Sequence, residues 1–174
     1  MNDPVNNMNP GAISGGVIIK KADVHMVQTI KDLIDPFVQD RVILPKSLYA
    51  LYTSIRDFRV ACQENKASII GCCALQVSWQ DLGEIRTLAV DNAYQGRGFG
   101  RKMVEHCIYE AVDLGLDRLF TLTYVPDFFR DMGFFEVDKS TLPNKIWADC
   151  IHCPYFPDCR EIAMVYEMGT QKHG

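Results

Sequence analysis

Three glycines fall within five residues in the stretch Leu88-Ala89-Val90-Asp91-Asn92-Ala93-Tyr94-Gln95-Gly96-Arg97-Gly98-Phe99-Gly100-Arg101-Lys102. Lacking a Cβ, glycine lets successive backbone N–H groups converge on one point and lets a ligand come close to the chain. Where such a loop opens a helix, the unpaired donors of the first turn and the positive end of the helix dipole complete a cradle for an anion, a phosphate or pyrophosphate foremost. Arg97, Arg101 and Lys102 add positive charge at its rim. The spacing excludes two familiar phosphate patterns. A dinucleotide G-x-G-x-x-G fails because its third glycine would fall on Arg101 or Met103, and a P-loop fails because Gly100 is followed by Arg101. What remains is Gln95-x-x-Gly98-x-Gly100.

A second group is Cys150-Ile151-His152-Cys153, with Cys159 six residues on. C-x-x-C is a zinc half-site and Cys159 offers a third thiolate, but a closed tetrahedral site needs a fourth ligand. His152 lies between the first two thiols, and His106 or Cys107 would have to come from elsewhere. Reduced thiols packing a proline-bearing loop are therefore expected and no metal is assigned; a structural zinc and a redox-sensitive pair are the alternatives. Cys62, Cys72, Cys73 and Cys107 fall in apolar stretches and read as small buried hydrophobes.

The elements that must position these groups follow from periodicity. A strand is predicted over 17–20, and Asp23 suits an N-cap for a helix carrying Val24, Val27, Ile30, Leu33 and Ile34, which Pro36 weakens. Ser47 caps a second helix through Leu48, Leu51, Tyr52 and Ile55. Strands are predicted over 58–62, 67–79 and 84–90, with Asp81-Leu82-Gly83 as the turn between the last two. A helix over 98–114 ends at Gly115, followed by a strand over 119–123, a short helix over 126–131, and strands over 134–137 and 161–168. On the strand 84–90 a period of two places Glu84, Arg86, Leu88 and Val90 on one face. Arg86 there is a planar cation able to grip a carboxylate in two places.

The 174 residues, 48% of them apolar, suit one α+β or mixed α/β domain over 16–170. Residues 1–15 form a flexible tail, and 142–160 a Cys- and Pro-rich segment. A net charge of −4 speaks against a general nucleic-acid binder. No apolar run approaches the roughly 18 residues that span a bilayer. Residues 1–16 hold no Lys or Arg and no apolar core of a secretory signal. A cytoplasmic protein with neither membrane nor nucleic-acid partners is expected.

Strand 84–90, Gln95-x-x-Gly98-x-Gly100, the long helix and, downstream, Phe128-Phe129-Arg130-Asp131-Met132-Gly133-Phe134 resemble the acetyl-CoA-binding core of the GNAT acetyltransferase superfamily, over roughly 17–138. The resemblance implies an α/β fold with a mixed, mostly antiparallel central sheet flanked by helices and splayed at its two middle strands. It implies acetyl-CoA as co-substrate, with Gln95, Gly96, Arg97, Gly98, Phe99, Gly100 and Arg101 around the pyrophosphate. Leu88, Ala89 and Val90 would lie along the pantetheine arm. It also implies a carboxylate base at Glu84, acting through water, with backbone N–H groups near Leu88 and Ala89 polarising the thioester carbonyl. Phe129 occupies the position where many members carry a proton-donating tyrosine; Tyr124 is the substitute.

Leu44-Pro45-Lys46-Ser47-Leu48, Ile55-Arg56-Asp57-Phe58, Leu119-Phe120-Thr121-Leu122-Thr123 and Leu142-Pro143-x-Lys145 narrow the resemblance to the acetyltransferase domain of the N-acetylglutamate synthases, in their short, stand-alone form. That implies L-glutamate as acceptor, the first step of arginine synthesis, with Lys46, Arg56 and Arg86 neutralising its carboxylates, and pairing into a homodimer. Another small-molecule or protein amine, or a non-catalytic acyl-CoA-binding module, are the alternative readings.

Overall fold

The computed structural model describes residues 12–13, 16–64, 68–143 and 160–169. Its strands are β1 (Ala12–Ile13), β2 (Val17–Lys21), β3 (Phe58–Gln63), β4 (Ile69–Trp79), β5 (Leu82–Val90), β6 (Arg118–Thr123), β7 (Phe135–Val137) and β8 (Ile162–Glu167). They form one sheet in the order β1-β2-β3-β4-β5-β6-β8-β7. Every neighbouring pair is antiparallel except β5 and β6. That parallel pair is registered only from Leu82↔Arg118 to Glu84↔Phe120, after which the two middle strands part. The sheet is splayed there, as expected. Ala12–Ile13, inside the segment read as a tail, pairs with Ile18 and Val17.

Among the described residues four α-helices flank the sheet: α1 (Val27–Gln39), α2 (Leu48–Thr53), α3 (Phe99–Asp113) and α4 (Pro126–Arg130). Asp23 does act as a cap, but of a 3-10 turn over Val24–Met26, to which it accepts from the His25 N–H; Val24 is exposed. α1 starts after this turn and runs through Pro36. Proline removes one N–H from the ladder, yet the helix continues because Val27, Ile30 and Ile34 are wholly buried on its sheet-facing stripe. Ser47 caps α2 as read, its Oγ accepting from the Ala50 N–H at 3.1 Å. Gly115 closes α3, with the Leu116 N–H reaching back to the Ala111 carbonyl at 2.9 Å. No described helix is long and apolar enough to cross a membrane.

Two expectations about β5 are corrected. Leu82 and Gly83 already belong to the strand, so the turn from β4 is confined to Gln80 and Asp81. The period of two also fails beyond Arg86. Ala74 pairs with Arg86 but Cys72 with Ala89, so Thr87 and Leu88 together oppose Cys73 in a β-bulge, and Thr87 has φ +54°. The bulge reverses the faces. Glu84 and Arg86 stay on the side of α1, whereas Leu88 and Val90 turn to pack against the α3 core.

That α3 core is continuous. It joins Ile19, Ala61, Ile70 and Ile85 to Met103 and Cys107 of α3, and onward to Leu119, Phe129, Phe134 and Met164 beyond the split. The opposite face is divided. Val27, Ile30, Ile34, Leu51 and Phe58 form one cluster with β3–β5, while Leu82, Phe120, Leu142, Ala163 and Val165 form another.

Candidate active site

Where β5 and β6 part, a cleft of about 150 Å³ opens. Its lining comes from the loop before α2 (Val42, Ile43, Leu44, Lys46), from β5 (Glu84 to Leu88), and from the end of β6 and its sequel (Thr121 to Val125), with Phe129 and Glu161. Residues of both sheet faces therefore line it. Four of the sequence candidates, Lys46, Glu84, Arg86 and Tyr124, converge here, together with Leu88. Arg56 does not line the cleft: it is exposed on the 3-10 turn Ile55–Asp57, and its carbonyl accepts from Lys21 Nζ at 3.1 Å.

Glu84 is mostly buried, its side chain 15% exposed, and its Oε2 stands 3.4 Å from Arg86 Nη1. The same nitrogen donates to Gln76 Oε1 on β4, whose register partner is Glu84. Asp57 lies in the field of these cations. Burial pushes its carboxyl above the usual range, against the pull of Lys21, Arg86 and Lys46. At the bulge, Cys72 Sγ donates to the Thr87 carbonyl at 3.6 Å, and burial pushes the Cys72 thiol up to about 12. Such a thiol stays protonated and unreactive. Tyr124 is 40% exposed, placing a hydroxyl at the cleft. Phe129 is packed edge-on between Phe128 and Phe134.

The glycine loop lies between the end of β5 and the start of α3. Gln95 closes it: its Nε2 donates to the Val90 carbonyl at 3.0 Å and to Asn92 Oδ1 at 2.9 Å. Gly96 and Gly98 have φ of +71° and +82°, and a Cβ at either would meet nothing within 4 Å. Glycine is thus demanded by backbone conformation, while the space over the loop stays open for a ligand. Gly98 is the N-cap of α3 and gives no side-chain bond to the first-turn N–H groups, leaving those donors to an anion. Arg97 is folded back on the loop, its Nη2 donating to the Ala93 carbonyl at 2.9 Å and its guanidinium lying over the Tyr94 ring. Arg101 donates to the Asp131 carbonyl at 3.1 Å and pairs with Glu105. Phe99 anchors the helix start in the core, and Gly100 faces Phe128 and Val90. Ala89 is buried on the α1 side. The arrangement fits a diphosphate at the helix start with an extended arm leading along β5 to the cleft.

Sequence reasoning missed Gln76, Thr121, Thr123, Glu161 and the segment Val42–Leu44. Gln76 reaches Arg86 across the β4–β5 ladder and the others line the cleft; only the sheet order brings these strands and loops together, and no local spacing marks them. Cys150, Cys153 and Cys159 lie outside the described residues. Among the described residues no cluster of His, Cys, Asp and Glu suits a metal ion.

The sequence profile of the Acetyltransferase (GNAT) family matches residues 28–136. An uncharacterized N-acetyltransferase of Chlorobaculum tepidum is 35% identical over 147 residues, 84% of this chain and 94% of that protein. An amino-acid acetyltransferase of Mycobacterium tuberculosis is 37% identical over 133 residues, 76% of each chain. Among solved structures, N-acetylglutamate synthase from Neisseria gonorrhoeae, complexed with coenzyme A and N-acetyl-glutamate, superposes with a TM-score of 0.81 at 27% identity, over 91% of this chain and 37% of that one. A Mycobacterium tuberculosis protein in complex with CoA superposes with a TM-score of 0.76 at 30% identity, over 86% of this chain and 98% of that one.

Proposed function

The chain belongs to the GNAT family and is an acetyl-CoA-dependent acetyltransferase; from that premise we propose that its acceptor is the α-amine of an amino acid, L-glutamate foremost. The observation that carries this reading is the meeting of Lys46 and Arg86 with Glu84 in one cleft at the split of the sheet. Two cations beside a carboxylate suit a substrate that brings carboxylates of its own and an ammonium that must lose a proton. The relatives named amino-acid acetyltransferase support the same acceptor class.

Acetyl-CoA supplies an acyl group already activated as a thioester. The work left to this chain is positioning, proton transfer and charge stabilisation. The open amides of Gly96 to Gly100 and the start of α3 hold the diphosphate, and Leu88 to Val90 flank the arm. Lys46 and Arg86 orient the amino acid by its carboxylates. Glu84, directly or through a water, takes the proton that the ammonium must lose before nitrogen can attack. Tyr124 is the hydroxyl available to the leaving thiolate, a role that Phe129 cannot fill. The product on this reading is N-acetyl-L-glutamate, the first intermediate of arginine synthesis.

The test is an acceptor screen. The purified chain is incubated with acetyl-CoA and each amino acid or polyamine in turn, and thiol release is followed. Glutamate is expected to exceed every neutral or cationic acceptor. A glutamate signal no higher than that of alanine or spermidine overturns the assignment.

A further inference from the structure

We propose that Gln76 on β4 is the positioning residue that sets acceptor specificity, by holding Arg86 through a neutral contact. This rests on the carboxylate-acceptor reading above and deepens it. Gln76 and Glu84 are register partners, and Arg86 pairs with Ala74 two steps further along the same ladder. At the next residue, Thr87, the strand enters the bulge and its faces reverse. Arg86 is thus the last residue of β5 to keep this face before the reversal, and it lines the cleft while Gln76 holds it from β4.

Its Nη1 donates to Gln76 Oε1 and stands 3.4 Å from Glu84 Oε2. A guanidinium is a flat fork of five donors. With one nitrogen engaged on the strand side, the fork's orientation is fixed and its remaining N–H groups are those offered to a substrate carboxylate. The chemical type of the second partner then matters. Arg86 already lies near the carboxylates of Glu84 and Asp57. Another carboxylate at position 76 would hold the fork equally well in space but would compensate its charge. An amide oxygen holds it and leaves the positive charge for the ligand.

Two variants separate this from a structural role. Gln76→Met keeps the shape and removes the acceptor; the fork loses its fixed orientation and the KM for glutamate rises several-fold. Gln76→Glu is isosteric and keeps an acceptor, so a residue needed only for packing or hydrogen bonding would tolerate it better than methionine. The proposal expects the opposite order: Gln76→Glu raises the glutamate KM by about tenfold or more, the scale of one charge-assisted contact, and by more than Gln76→Met. The KM for acetyl-CoA stays at the wild-type value in both, which also reports that the variants are folded. Should either variant be unfolded, the other alone must still raise the glutamate KM. If the wild type acetylates glutamate and a folded Gln76→Glu does so with an unchanged KM, the proposal falls while the acceptor assignment stands. If the wild type does not acetylate glutamate, both fall.

Discussion

At the level of single residues, the proposed chemistry turns on Glu84. It sits at the last registered pair between β5 and β6, opposite Phe120, so it is held by strand geometry on one side and faces the opening split on the other. A base placed there contributes on the order of 10²–10⁴ in rate. Glu84→Gln is accordingly expected to lower kcat by that order while the calorimetric affinity for acetyl-CoA stays at the wild-type value, since residue 84 lies at the split of the sheet and not in the glycine loop. An unchanged kcat would remove Glu84 from the mechanism. Glu84, Arg86 and Lys46 stood out in the sequence by type, position and resemblance, and the structure brings all three to one cleft. Gln76 did not stand out, because its importance lies in a cross-strand partner, Arg86, ten positions away in sequence but fixed only once β4 and β5 are registered.

Among the elements, β5 carries most of what the site needs. Gly83 lets it lie close to its neighbours. A Cβ there would come within 2.8 Å of Leu116 Cδ1, 2.9 Å of Leu119 Cδ2 and 3.1 Å of Leu75 Cδ1. Gly83→Ala overfills a packed core at a cost of about 1–3 kcal/mol, seen as a thermal midpoint lower by a few degrees, with acetyl-CoA affinity retained. Gly98→Ala is expected to behave in the reverse sense. Its Cβ enters open space, but φ of +82° resists an L side chain, so the loop shifts and acetyl-CoA affinity falls well beyond any change in midpoint. If the two variants showed the same pattern, the division of labour between strand and loop would be wrong. Local signals made the loop, the Ser47 cap and the end of α3 at Gly115 legible, because each is encoded within a few residues. The bulge was not. Its cause is the pairing of Cys72 with Ala89 and Ala74 with Arg86, a property of two strands together, and Thr87 is a β-branched residue that carries no signal for positive φ. Pro36 misled for the same reason: burial of Ile30 and Ile34 outweighs a local preference.

Across the whole molecule, the two faces of the sheet are built differently. On the α3 side a single apolar cluster runs beneath both halves; on the other, two clusters stop short of each other and leave the cleft between them. The glycine loop and α3 belong to the first side, and Lys46, Glu84 and Arg86 reach the cleft from the second. On the proposed reading the co-substrate and the acceptor therefore approach the split from different directions, and neither must leave before the other can enter. Among the described residues, the cleft lining contains no cysteine, serine or histidine to carry the acyl group in between. Initial-rate measurements over a grid of both substrates should then give double-reciprocal lines that intersect; parallel lines would mean that the acetyl group is parked on the protein, and that a gap running through the sheet does not serve as a meeting place for two guests at once.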